Sequence, residues 1–373
     1  MWILKKKVAS FFCGLLLLGT MLPMQALGAP GVSAHSFVLI DAGSGTVLAQ
    51  QNANEQMLVA STTKIMTAIV VLQHAQIDEM VTVDPQAVGI EGSSMYLRPG
   101  EELTVGDLLY GLMLSSGNDA ATALAYHVAG GVEEFAQLMN QQAQALSMKN
   151  SHFQNPHGLD ADKHYSTALD LALLTAFALE NEDFLRIAST RNVQAAGRSL
   201  VNHNKLLWRY QDAIGVKTGY TRAAGRSLVG AAQRDETRLI VVTLSAPNDW
   251  SDHAALFDWG FSNFQYHAIV TEGELVSTIA VMAGESLAVN LIAQESLGLL
   301  LHPDDQVEIT TYFPQLVYAP IAEGAVAGSL LVTVNGELAG EIPLIYQDTV
   351  AAEQTNLLNA WEMFRWRVRD FFL

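Results

Sequence analysis

Cysteine is almost absent from this 373-residue chain, and the one present, Cys13, lies in an N-terminal apolar stretch. Without a second thiol no disulfide can form, and cysteine-ligated metal is excluded with it. Positive charge is scarce too. Twenty basic residues face 38 acidic ones, a formal net charge of −18, and such a surface repels nucleic acid. Glycine is missing where a phosphate loop would need it: Gly43-Ser44-Gly45 lacks the further glycine and following helix, and Gly215-Val216-Lys217-Thr218 lacks glycine directly before the lysine. No internal repeat, low-complexity tract or long disordered linker interrupts the chain.

What is present begins with a leader. Lys5, Lys6 and Lys7 precede an apolar run through Leu18, and the small-residue pattern Ala26-Leu27-Gly28 precedes Ala29. Residues 1–28 therefore read as a secretory signal peptide. A retained anchor is the rival, disfavoured by Gly14, Gly19, Pro23 and the cleavage pattern. Cleavage would remove Cys13 and take the net charge from −18 to −21. The expected location is extracytoplasmic. The remaining length exceeds what one core fills, since single cores stop growing at roughly 250–300 residues, so two domains are expected.

From His35 the stretch HSFVLIDAGSGTVLAQQN alternates strand, glycine turn and strand, a hairpin pattern. TTKIMTAIVVLQHAQ (62–76) is apolar enough all round to be a buried helix. Helices are predicted over Gly106–Gly130, from Val132, and over Thr167–Leu185 with Ser166 or Thr167 as cap. After Lys217-Thr218-Gly219, placed just ahead of a strand, SLVGAAQ and RLIVVTLSA read as strands around the turn Arg234–Thr237. The order strand pair, helices, strand pair predicts an α+β domain over 29–264, helices on an antiparallel sheet whose ends come from distant parts of the chain. Beyond it, short Val/Ile/Leu/Thr runs between turns predict a small all-β domain over 265–348.

Three clusters carry chemistry. Ser61 and Lys64 in ASTTKIMTA stand at helical i, i+3 spacing and within mutual reach. A serine hydroxyl is a poor nucleophile until a base takes its proton, and a lysine is no base until its charge is suppressed. Taken alone, the pair reads as a helix cap beside a solvated lysine. Ser116-Gly117-Asn118, polar between two apolar segments, faces a cleft or forms a plain inter-helix turn. Lys217-Thr218-Gly219 offers a cation and a hydroxyl for a substrate carboxylate, with glycine admitting a backbone closely.

In that order and at wide spacing, Ser-x-x-Lys, Ser-Gly-Asn and Lys-Thr-Gly resemble the serine acyl-transferases of the penicillin-binding protein and β-lactamase group. More closely, the chain resembles low-molecular-mass penicillin-binding proteins that act as serine-type D-alanyl-D-alanine carboxypeptidases. GSSMYLRPGE (92–101), FQNPHGL (153–159), NHNKLLW (202–208), GVKTGYTRAAGRSLV and, in the β domain, LVYAPIAEGAVAG carry the likeness over nearly the whole chain. The resemblance implies a β-lactamase/transpeptidase-like catalytic fold, peptidoglycan stem peptides as substrate, β-lactams as acylating inhibitors and no cofactor or metal. It implies that Ser61 attacks the carbonyl between two terminal D-alanines, Lys64 accepts the proton, Ser116 relays one and Asn118 holds the substrate amide. Lys217 and Thr218, with Gly219, would bind the terminal carboxylate, and the N–H groups of Ser61 and Tyr220 would form the oxyanion hole. A charge on Lys217 and partial burial give a physical reason for a depressed Lys64 pKa.

Departures from the family pattern concern the carboxylate. His203 stands where relatives often carry arginine, and SAPNDWSDH (245–253) has no arginine where some relatives have one assisting carboxylate recognition. Recognition then rests on Lys217 and Thr218, or recruits Arg222. No glutamate dedicated to acyl-enzyme hydrolysis can be placed. His152 and His157 match no metal-ligand spacing, and Pro156 breaks any helix between them, so a structured loop is expected. In 349–373, Leu357, Trp361, Phe364, Val368, Phe371 and Phe372 share a helical face, which predicts an amphipathic C-terminal helix tethering the enzyme to the outer face of the cytoplasmic membrane. Trp366 on the opposite side weakens that pattern, and docking on the β domain or a partner is the rival. A β-lactamase and a catalytically silent wall scaffold are the alternative functions; the second β region argues against the first and three whole clusters against the second.

Overall fold

A computed structural model describes residues 28–353. Its centre is a five-stranded antiparallel sheet of β1 (Ser36–Asp41), β2 (Val47–Gln51), β3 (Ala213–Thr221), β4 (Gly225–Arg234) and β5 (Thr237–Leu244). Their spatial order is β2-β1-β5-β4-β3. The N-terminal hairpin thus docks on the C-terminal strands, with Ser36 opposite Leu244. Within the hairpin turn the Asp41 carboxylate accepts from the Ser44 amide at 3.0 Å and its hydroxyl at 2.7 Å, which fixes the reversal.

All six residues of β1 are buried because both sheet faces are covered. Val38, Ile40, Val229, Ile240 and Val242 pack against α1 (Lys64–His74), α2 (Val105–Leu114), α3 (Asn118–Ala129), α4 (Val132–Ala145), α5 (Ala168–Leu179) and α6 (Glu182–Ser189). On the other face Phe37, Leu39, Leu228 and Val241 meet Leu256 and Phe257 of α7 (Asp249–Asn263). This is the expected α+β arrangement of helices on an antiparallel sheet.

Three local readings need correction. The helix predicted over Gly106–Gly130 is two helices, because Ser116 adopts φ +58° and turns the chain between α2 and α3. The helix predicted over Thr167–Leu185 also breaks: α5 stops at Leu179, and Asn181 caps α6 by accepting the Phe184 amide at 3.0 Å. Lys217-Thr218-Gly219 lies inside β3 rather than ahead of a strand.

After α7 the described residues are all β. Gln265–Val270 pairs with Leu297–Leu301, and a six-stranded sheet runs in the order Val307–Tyr312, Val326–Val334, Glu337–Tyr346, Ala288–Ala293, Leu275–Met282, Leu316–Tyr318. Two small apolar clusters hold it, one around Val332 and Leu344 and one around Leu291 and Val281. Residues 349–353, where the C-terminal helix was expected to begin, bridge to this region instead: Val350 pairs with Ile321 and Ala352 with Gly284. The rest of that predicted helix and the predicted leader, up to residue 27, lie outside the described residues.

Candidate active site

Ser61 sits in the 3₁₀ turn Ala60–Thr63 that leads into α1, directly beside β3. The approach is close enough to require glycine: a Cβ on Gly219 would stand 2.9 Å from the Val59 carbonyl oxygen and 3.2 Å from the Ser61 amide nitrogen. Beneath the turn the segment FQNPHGL is bolted to α1. Thr67 donates to the Pro156 carbonyl at 2.6 Å, and the Thr63 hydroxyl lies 2.8 Å from His164 Nε2. Burial lowers the pKa of His164 to about 4, so its ring is neutral. Its Nδ1 accepts the Gln154 amide, which puts the ring hydrogen on Nε2, donated to Thr63.

Lys64 is completely buried, and its Nζ lies 2.9 Å from Ser61 Oγ, 2.7 Å from Asn118 Oδ1 and 2.7 Å from the His157 carbonyl oxygen. Two of these neighbours can only accept; the serine hydroxyl can also donate. A neutral amine fits this set, giving its two hydrogens to Asn118 and His157 and turning its lone pair to the Ser61 hydroxyl. The electrostatics favour the same state. Burial, and then the nearby Lys217 charge, hold the Lys64 pKa well below the usual lysine value, with Asp119 pulling the other way. The resulting pair is a hydroxyl beside a buried amine whose charge is disfavoured.

Lys217 reaches toward Ser116 from β3. Its buried Nζ donates to Ser116 Oγ at 3.1 Å and to the Thr218 carbonyl at 3.0 Å. Burial lowers its pKa to about 7. Asn118 is spoken for on both sides, since Nδ2 donates to the Glu91 carbonyl at 2.5 Å while Oδ1 accepts from Lys64. The three sequence clusters therefore meet, and the Ser-Gly-Asn segment is at once an inter-helix turn and a cleft wall. Ser61, Ser116, Thr218, Gly219 and Tyr220 line a cleft of about 380 Å³.

His203 lines this cleft, and burial, then Lys217, lower its pKa. Arg222 is exposed in the turn between β3 and β4 and is not among the cleft-lining residues. The guanidinium at the cleft belongs to Arg226, which sequence reasoning missed; it is held by Asp249, the first residue of α7. Asp119 was missed as well. Its carboxylate accepts from Ser94 Oγ (2.6 Å) and the amides of Met95 (3.0 Å) and Leu97 (3.1 Å), fixing the GSSMYL loop over the cleft. Its place in the first turn of α3 was the available signal. His157 contributes its carbonyl, not its ring, and burial lowers its pKa to about 3. Among the described residues no three His, Cys, Asp or Glu side chains are grouped to hold a metal.

Comparison with known proteins matches this geometry to a family. Residues 24–248 match the family described as D-alanyl-D-alanine carboxypeptidase (Peptidase S11), and residues 264–352 match the C-terminal domain of penicillin-binding protein 5. The chain is 38% identical over 347 residues to the D-alanyl-D-alanine carboxypeptidase DacC of Escherichia coli, covering 87% of this chain and 86% of that protein. Against DacF of Bacillus subtilis it is 32% identical over 327 residues, 83% of this chain and 84% of the other. Among solved structures, penicillin-binding protein 5 of Haemophilus influenzae superimposes with a TM-score of 0.76 at 31% identity, over 86% of this chain and 98% of that one.

Proposed function

The chain belongs to the Peptidase S11 family of D-alanyl-D-alanine carboxypeptidases and is a serine-type enzyme that cleaves the terminal D-alanine from peptidoglycan stem peptides; we propose that it does so through an acyl-enzyme on Ser61. The observation that carries this reading is the buried Lys64 amine, 2.9 Å from Ser61 Oγ with its other two neighbours limited to accepting.

Ser61 Oγ attacks the carbonyl carbon between the two D-alanines as its proton passes to Lys64 Nζ. The oxyanion that forms is stabilised by the amides of Ser61 and Tyr220. When the C–N bond breaks, the leaving amine takes a proton through Ser116, whose hydroxyl is held by Lys217. Water then hydrolyses the ester and frees Ser61. Thr218 and Lys217 bind the terminal carboxylate, and Gly219 admits the substrate backbone. Asn118 fixes the Lys64 amine and retains one Nδ2 hydrogen for the substrate amide. A β-lactam enters as an acylating inhibitor, since it brings a strained amide and a carboxylate to the same groups.

Incubating the purified protein with a penicillin and following intact mass tests this reading, with Ser61→Ala as control. A long-lived adduct absent from Ser61→Ala, together with Ser61-dependent release of D-alanine from a stem pentapeptide, is expected. Rapid turnover of both adduct and drug would indicate a β-lactamase, and no adduct a silent scaffold; either refutes the mechanism.

The family acts on peptidoglycan, outside the cytoplasmic membrane. We infer that residues 1–28 are the export signal and that the segment after residue 353, the remainder of the helix expected over 349–373, is an amphipathic tether to the outer face of that membrane. Among the described residues no helix is long and apolar enough to cross a membrane. Liposome co-sedimentation that is unchanged on truncation after Asp348 would refute the tether.

A further inference from the structure

The reaction demands that the substrate end in a free carboxylate, yet the lysine nearest the nucleophile's base is an unreliable partner for it. Lys217 is 1% exposed, already donates to Ser116 and Thr218, and has a pKa lowered to about 7. A guanidinium stays charged throughout the working range, and one lines the cleft.

That group is Arg226. On β4 it stands opposite Tyr220, and its neighbour Leu228 stands opposite Thr218. Partners across an antiparallel pair share a face, so Thr218, Tyr220 and Arg226 project to the α7 side, with Arg226 diagonal to Thr218 and within the reach of a long side chain. Lys217 projects to the opposite side, toward Ser116. Asp249 fixes the guanidinium along one edge: Nε donates to Oδ2 at 3.1 Å, and Nη2 donates to Oδ1 and Oδ2 at 2.9 Å each. The aspartate side chain is 3% exposed and also accepts the Trp250 amide at 2.9 Å. The Trp250 ring centroid lies 5.8 Å from the guanidinium carbon, a cation–π contact that further restricts it. Among the described residues Nη1 has no hydrogen-bond partner, and the arginine side chain is 43% exposed at the cleft.

We propose that Arg226, aimed by Asp249, grips the terminal carboxylate of the substrate through its free Nη1 edge beside Thr218, and so sets the preference for a peptide acid over a peptide amide. This rests on the reading that the scissile bond lies at Ser61. Asp249 neutralises the guanidinium at long range, so recognition is a short, directional hydrogen bond rather than a diffuse attraction. The two descriptions differ in sign for Asp249→Asn: a diffuse field predicts tighter binding when the negative charge goes, whereas a positioned donor predicts weaker binding.

The test compares kcat and KM for a peptide ending in D-alanyl-D-alanine with those for the same peptide ending in D-alanyl-D-alaninamide, in wild type, Arg226→Ala, Arg226→Lys, Asp249→Asn and Ser61→Ala. Hydrogen bonds to charged groups are worth about 1.5–3 kcal/mol, so Arg226→Ala should raise KM for the acid about 10- to 150-fold. Its hydrolysis of the amide should fall much less than that of the acid, because a neutral carbonyl accepts a weaker hydrogen bond than a carboxylate, and an unchanged circular dichroism melting curve shows that it is folded. Arg226→Lys should recover part of the acid preference, and Asp249→Asn should lose acid activity while keeping amide activity. An acid-to-amide ratio unchanged in Arg226→Ala, or tighter acid binding in Asp249→Asn, overturns the proposal while leaving Ser61-dependent hydrolysis intact. Hydrolysis that survives Ser61→Ala overturns the underlying site reading, and the proposal with it.

Discussion

Replacing Lys217 by methionine keeps most of the side chain's length and removes its charge, which isolates what burying that charge costs. In the unfolded chain the amine titrates near the ordinary 10.5, in the native protein near about 7. Below the native value both states hold the proton; between the two values only the unfolded state does. Wild-type stability therefore rises with pH across this window by about 1.4 kcal/mol per unit, and falls back as pH drops through the native value. From about pH 6 to about pH 9 the integrated gain is roughly 2–3 kcal/mol. Lys217→Met lacks it. Loss of the bonds to Ser116 and Thr218 adds an offset that does not depend on pH. Urea unfolding of both proteins across this range should show the variant's stability relative to wild type falling by that 2–3 kcal/mol toward alkaline pH. A difference constant to within about 0.5 kcal/mol would refute the claim that Lys217 is buried at the expense of its charge.

The same variant should move the acidic limb of kcat/KM to higher pH, because Lys64 must be neutral to take the Ser61 proton and Lys217 is one of the causes depressing its pKa; an unmoved limb in a pH–rate profile would contradict this. Gly219→Ala should slow penicillin acylation by about 100-fold or more, as the added methyl pushes β3 off the Ser61 amide, and should lower the melting temperature because the clash is with backbone atoms; stopped-flow acylation and a thermal melt measure the two effects. Asp119→Ala should cost about 3 kcal/mol in urea unfolding, because the amides of Met95 and Leu97 lose their acceptor. Wild-type stability in that variant would show that the GSSMYL loop is held by other contacts.

The architecture was legible because hydrophobic periodicity and turn chemistry agree: FVLID, SLVGAAQ and RLIVV are apolar on both sides and all three are sheet strands covered on two faces. That Ser61 and Lys64, and Ser116 and Lys217, would be brought together was legible through motif order. The break at Asn181 escaped because the segments flanking it are apolar at helical spacing, so periodicity runs through it without registering the backbone reversal, whereas the polar Ser116-Gly117-Asn118 stretch had already offered an inter-helix turn as one of its two readings. The strand at Lys217 escaped because a buried lysine reads as a surface residue. What suppresses the Lys64 charge is also invisible locally: burial by the surrounding fold, and Lys217, which arrives on β3. Arg226 and Asp249 each look ordinary, and only the packing of α7 against β4 makes them a pair.

Because β1 lies between β2 and β5, with Ser36 opposite Leu244, the strand that begins the sheet waits for the strand that completes it. Ser61 is made early, but β3 cannot press Gly219 against it until β4 and β5 exist to support that edge. Such long-range pairing is slow to form, and domains fold as units during synthesis. A ribosome-bound or partly exported chain that has not yet released Leu244 thus carries its nucleophile without an oxyanion site or a second lysine. The catalytic half must therefore be whole before Gly219 and Ser61 meet.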